Sequence, residues 1–98
     1  MAKKYIRGAF SLENNVTDLV AFENERETAL KAVIAWANDN KVGVNFGTSE
    51  DNTYLCEFTV TAQTAQMCKG YVAELKAMLK KIFPKAYIPW QYSGNILS

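Results

Sequence analysis

Hydrophobic residues recur along this chain with two different periods, which mark successive strands and helices. Alternation with a period of two predicts half-buried strands over residues 5–12, 41–46 and 53–61. The last of these is the clearest, and one of its faces carries Tyr54, Cys56, Phe58 and Val60. We expect that apolar face to lie against the core.

Two other segments place apolar residues three and four positions apart, which is the spacing of an amphipathic helix. The first begins at Asn24, where Glu27 completes a capping box, and its stripe is Leu30, Val33, Ile34 and Ala37. The second begins near Thr61 or Thr64 and ends at Phe83, because Pro84 cannot continue a helix. Its stripe is Cys68, Tyr71, Val72, Leu75, Met78, Leu79 and Ile82.

Two further strands follow from weaker patterns. Residues 16–22 are mostly apolar and follow the turn residues Asn14 and Asn15, so they predict a hairpin partner for the first strand. Residues 86–92 predict a last strand, which Pro89 confines to an edge of the sheet. Residues 93–98 then form a tail.

The resulting order is β-β-α-β-β-α-β, and it predicts an α+β fold. Both helices have one apolar stripe, so we expect a two-layer sandwich with both helices on one face of a four- to five-stranded, mostly antiparallel sheet. Without the strand over 16–22 the order becomes β-α-β-β-α-β, a ferredoxin-like variant. The 98 residues predict a single domain over 1–98.

Composition is that of an ordinary globular domain, with 49% hydrophobic and 21% charged residues. No apolar run approaches the ~18 residues of a membrane span, and the N-terminus lacks the apolar core of a secretory signal. We therefore expect a cytoplasmic protein without membrane contact. Cys56 and Cys68 are then expected to be free, buried side chains and not a disulfide.

The residues that most enzymes use are missing. Histidine is absent, which removes the commonest general base and metal ligand together. No glycine-rich phosphate-binding motif occurs, and two cysteines on core faces do not make a zinc site. We expect a non-enzymatic protein with no catalytic residues, no metal and no cofactor.

Charge is unevenly distributed, although the net charge is only +1. Residues 13–57 carry nine acids and three bases, whereas residues 58–98 carry five lysines and one acid. Those lysines are Lys69, Lys76, Lys80, Lys81 and Lys85, and the first three share a helical stripe. Such a stripe is ordinarily a solvated helix face, and nucleic-acid binding along it is the alternative function.

Large apolar residues concentrate near the C-terminus, at Tyr87, Trp90, Tyr92, Ile96 and Leu97. Tryptophan and tyrosine often anchor protein interfaces, and edge strands offer unpaired backbone groups to a partner. These residues predict a site for another protein or for a second copy as a homodimer, unless they only close the core.

The leading hypothesis is a small binding or regulatory protein that acts through protein–protein contacts. Compact proteins of this kind are common among inhibitors and regulators of phage and mobile elements. A carrier of a small anionic ligand is a third hypothesis, which requires a pocket.

Overall fold

The computed structural model describes residues 3–12, 19–48 and 55–96. In chain order its elements are β1 (Lys3–Phe10), α1 (Leu19–Asn40), β2 (Gly43–Thr48), β3 (Cys56–Ala62), α2 (Ala65–Ile82) and β4 (Gln91–Ile96). The fold is α+β, with two helices and one open four-stranded sheet.

The sheet has the order β2-β3-β1-β4, and every neighbouring pair is antiparallel. Ile6 of β1 lies opposite Val60 of β3, which in turn lies opposite Val44 of β2. Side chains alternate between the two faces of a strand, so these three residues share the face on which both helices pack. The other face carries Arg7, Thr59 and Asn45 and is covered by no described element.

One core fills the space between the helices and the sheet. Its largest fully buried side chains include Phe10, Phe22, Phe58, Leu75 and Leu79. The alternation predicted for the strand ending at Thr61 is confirmed, because Cys56, Phe58 and Val60 are buried. In the first strand Ile6 is buried and Arg7 exposed as predicted, but the alternation ends there, because residues 8–12 are all buried. The apolar faces of strands and helices therefore meet as expected.

The helix α2 agrees well with its predicted stripe and start. Thr64 is its N-cap, and its hydroxyl accepts a hydrogen bond from the Met67 amide at 3.1 Å. Cys68, Val72, Leu75 and Leu79 are buried along the stripe, while Ile82 at its end is 41% exposed. The prediction of Ile82 as a core residue is wrong; Leu79 and Phe83 occupy the core at this end of α2 instead.

The prediction for α1 is wrong at its N-terminus. Leu19–Phe22 are helical, not part of a second strand, and the rest of that predicted strand lies outside the described residues. The sheet consequently has four strands among the described residues, not five. Asn24 is inside the helix, where its carbonyl accepts a hydrogen bond from the Thr28 hydroxyl, so it is not the N-cap.

The buried stripe of α1 shifts with this earlier start. Phe22, Ala29 and Val33 are buried, and Ile34, predicted as core, is 50% exposed. A short apolar run such as that over 19–22 fits a strand or a helix equally well. Burial of Phe22 against the sheet decides in favour of the helix.

The C-terminal strand also differs from its predicted position. Residues 86–90 are irregular apart from one bridge between Tyr87 and Ser11, and β4 begins only at Gln91. Pro89 therefore lies outside the edge strand, and the predicted tail supplies much of β4. Pairing with Lys3–Gly8 of β1 decides this position.

Candidate functional site

The strand β4 forms one edge of the sheet, since among the described strands it pairs only with β1. Its residues, Gln91–Ile96, include no proline and no charged side chain. Proline, charge or a bulge ordinarily prevents an edge strand from pairing with other chains. This edge has neither of the first two, so its backbone is open to a further strand.

The segment before β4 is held against the end of β1 by three backbone hydrogen bonds. The Ser11 and Tyr87 amides each donate to the other residue's carbonyl, at 2.9 and 3.0 Å. The Ala9 amide donates to the Trp90 carbonyl at 3.1 Å. These bonds place Tyr87 and Trp90 beside β1, where they are 48% and 38% exposed.

Three aromatic side chains cluster at this edge, and we name Tyr5, Trp90 and Tyr92 the aromatic patch. The Trp90 and Tyr92 rings are stacked, with centroids 6.0 Å apart and planes at 8°. Tyr92 meets Tyr5 edge to face, with centroids 6.4 Å apart. Aromatic rings prefer stacked and edge-to-face arrangements of this kind. The aromatic patch is therefore a preformed apolar surface and not three independent side chains.

The ring of Tyr5 lies over Gly94 of β4. A Cβ added at Gly94 would come within 2.6 Å of the Tyr5 ring, so only glycine leaves room for this arrangement. The glycine therefore positions one member of the aromatic patch.

Arg7 borders the aromatic patch on the uncovered face of the sheet. It lies opposite Tyr92 in the β1–β4 ladder, and its guanidinium is 3.3 Å from the Glu57 carboxylate. Tyr92 and then Glu57 raise the pKa of Arg7, so the group remains cationic. The patch is thus flanked by a charged pair and ends at a polar border.

On the other face of the sheet, a groove opens between α2 and the C-terminal edge. Helix α2 packs mainly over β1 and β3, and the α2–β4 groove between it and the start of β4 has a volume of about 490 Å³. Its apolar floor includes Ile6, Val72 and Ile88. Lys69 and Lys76 line it on the helix side.

The structure brings together only part of each predicted set. Tyr87, Trp90 and Tyr92 lie at one edge of the sheet. Ile96 is the last residue of β4, and Leu97 lies outside the described residues. Lys69 and Lys76 meet at the α2–β4 groove, whereas Lys80, Lys81 and Lys85 are exposed away from it.

Tyr5 and Arg7 are members of the site that sequence reasoning missed. The signal available for them is the alternation of the first strand, which places both on the face opposite Ile6. Only the pairing of β1 with β4 shows that this outward face adjoins Tyr92.

Reactive chemistry is sparse in the described part of the chain. Cys56 and Cys68 are free and fully buried, and burial raises the pKa of the Cys56 thiol to about 12. A protonated thiol without solvent access is a poor nucleophile. Across residues 3–12, 19–48 and 55–96, no three His, Cys, Asp or Glu side chains are placed to hold a metal ion.

Comparisons with known proteins add little to this geometry. No family model and no curated protein matches the sequence. Among solved structures, the chain is similar to the de novo designed protein Foldit4. The TM-score is 0.43 at 12% identity, and the match covers 99% of this chain and 97% of that one. No helix within the described residues has the length and apolar character needed to cross a membrane.

Proposed function

We propose that this chain is a non-enzymatic binding protein that receives another polypeptide at the C-terminal edge of its sheet. The observation that carries this proposal is the position of the stacked Trp90–Tyr92 pair at the open β4 edge. Stacking orders both rings before a partner arrives, so binding costs less side-chain entropy. Tryptophan and tyrosine in this setting are frequent anchors of protein interfaces.

Addition of a strand to β4 is the mode of contact that the backbone supports. The partner's main chain would bond to the open edge, while its side chains alternate between the two faces of the extended sheet. Strand β2 is the other edge and is also uncharged, but the aromatic patch lies beside β4. The aromatic residues therefore favour β4 as the binding edge.

A regulatory or inhibitory role follows from the same surface. A small protein without reactive groups acts on its partner by occupying a surface, as inhibitors and regulators of phage type do. The β-α-β-β-α-β element order supports a ferredoxin-like variant as its scaffold. Two free buried cysteines support a cytoplasmic location, where thiols remain reduced.

The proposal is tested by capturing partners from the native host with the wild-type chain and with a Trp90→Ala/Tyr92→Ala variant. A matched control, Ile34→Ala/Ile82→Ala, removes two apolar side chains that are equally exposed elsewhere. We expect proteins bound by the wild type and the control to be lost from the aromatic variant. Equal recovery by all three proteins would refute the proposal, provided that circular dichroism shows each to be folded.

Nucleic-acid binding through the α2 lysines is the second candidate function. The observation that favours it is that all five predicted lysines are exposed, and none forms an ion pair with another described residue. Phosphates would bind there with a strong dependence on salt concentration. A nucleic acid along α2 would require Lys80, Lys81 and Lys85 as well as the lysines nearer to β4, whereas a protein at the β4 edge requires the aromatic patch.

A further inference from the structure

We infer that the polypeptide received at the β4 edge is an acidic extended segment, whose carboxylates pair with Lys69 and Lys76 in the α2–β4 groove. This inference rests on the proposed function, because it specifies the chemistry of the partner that the open edge accepts. It assigns the two lysines to the same site as the aromatic patch, because Trp90 lines the groove together with both lysines.

The α2–β4 groove lies where one row of an added strand's side chains would project. Gln91 and Trp90 line the groove, and Ser93 lines the space beside Lys69 that adjoins it. Tyr92 borders that space too, but its ring packs on Tyr5 and it lies opposite Arg7, on the uncovered face. Side chains of a neighbouring strand alternate in the same way. One row would thus enter the groove, and the other would lie beside the aromatic patch.

The positive charge of the α2–β4 groove favours acidic side chains in the row of the added strand that enters it. Lys69 and Lys76 are exposed, and no acidic residue lines the groove within the described chain. Two unpaired ammonium groups above an apolar floor favour a segment that combines carboxylates with an apolar side chain. Complementary charge of this kind increases the association rate and excludes partners of the wrong sign.

The spacing of the two lysines is compatible with an extended segment. Seven residues along a helix correspond to about 10.5 Å. Residues two and four apart on one face of a strand are separated by about 6.8 and 13.6 Å. Flexible lysine side chains can span the difference, so glutamates four residues apart with valine between them match both the lysines and the floor at Val72 and Ile88.

A second copy of this chain fits the α2–β4 groove less well. Twofold pairing of two β4 strands would bring Lys69 and Lys76 of both copies to the same seam, with no carboxylate among the described groove residues. A single-stranded nucleic acid also fits less well, because its bases need aromatic rings beside the lysines. Of the aromatic patch, Trp90 alone lines the groove, while the Tyr5 and Tyr92 rings pack together on the other face. An extended polypeptide reaches both faces at once.

The test measures binding of fluorescein-labelled peptides by anisotropy at low and physiological salt. The acidic probe places glutamate, valine and glutamate on one face of an extended strand and threonine on the other. Its twin carries glutamine in place of glutamate, and a thymidine oligonucleotide of equal charge is the third probe. The proteins are the wild type, Lys69→Glu/Lys76→Glu, the equally charged control Lys81→Glu/Lys85→Glu, and Trp90→Ala/Tyr92→Ala.

We expect the acidic peptide to bind at least tenfold more tightly than its glutamine twin. Reversal of Lys69 and Lys76 should weaken its binding at least tenfold, because each exposed charge pair contributes modestly and reversal turns attraction into repulsion. The Lys81→Glu/Lys85→Glu control should change it less than threefold. Loss of binding in the aromatic variant would place the peptide at the β4 edge.

Several results would overturn the inference. They are equal affinity for both peptides, equal weakening by the two charge reversals, tighter binding of the oligonucleotide, and no binding of the acidic peptide. Dimerisation through β4, seen by sedimentation and abolished by the aromatic variant, would make a second copy the occupant. Equal binding of both peptides that is lost in the aromatic variant would overturn the acidic specificity and leave the proposed function standing.

Discussion

Replacing Lys41 by glycine should stabilise this fold by about 1 kcal/mol. Lys41 follows α1 and has a φ of 55°, a left-handed conformation that costs a residue with a Cβ about 1–2 kcal/mol. The conformation is required, because the Val42 amide donates to the Ala37 carbonyl at 3.0 Å and the Lys41 amide to that of Asn38 at 3.4 Å. The greater freedom of glycine in the unfolded chain offsets about 0.4–1 kcal/mol of the gain.

Urea unfolding followed by circular dichroism measures this change. For a domain of this size, 1 kcal/mol corresponds to a shift in Tm of about 4–8 °C. Lys31→Gly is the matched control, since Lys31 is 77% exposed in the interior of the same helix. It should destabilise the fold by about 1 kcal/mol, because glycine is a poor helix former. If both substitutions lower the stability equally, the left-handed strain at Lys41 is refuted.

Two further predictions concern Cys56 and Thr64. Because burial raises the pKa of Cys56 from 9.0 to about 12, the native chain holds this proton more tightly than the unfolded chain. The wild type should be more stable than Cys56→Ala, and the difference in their free energies of unfolding should decrease by about 1.4 kcal/mol per pH unit between pH 9 and pH 12. The same difference at pH 8 and at pH 10 would contradict this. Thr64→Ala should lower the free energy of unfolding by about 1 kcal/mol, because the Met67 amide loses its acceptor, while Thr64→Asp should retain the stability. Equal urea midpoints for Thr64→Ala and the wild type would show that this cap contributes nothing.

Three potentially reactive side chains of the described residues, Glu57, Cys56 and Cys68, are paired or buried. Glu57 is engaged by Arg7, and both thiols are buried. The features that distinguish the described surface are therefore the aromatic patch and the α2–β4 groove beside it. Trp90 belongs to both, while Tyr5 and Tyr92 lie on the face of the sheet away from the groove.

Local patterns in the sequence were sufficient for the features that depend on neighbouring residues. The stripe Cys68–Leu75–Leu79 follows from helical spacing, and Thr64, one of the two predicted starts of α2, caps the helix through a hydrogen bond within one turn. The alternation Cys56–Phe58–Val60 needs only the pleat of a strand. These features were predicted because their causes lie within a few residues.

Tertiary contacts decided the rest. Phe22 is in a helix because the core requires its ring there, although its segment also fits a strand. The strand β4 begins at Gln91 because residues at the other end of the chain, Lys3–Gly8, pair with it. The same pairing creates the site, since it joins Tyr5 to Tyr92 and opens the groove at Lys69. Contacts between residues so distant in sequence leave no local pattern, and only the folded sheet brings them together.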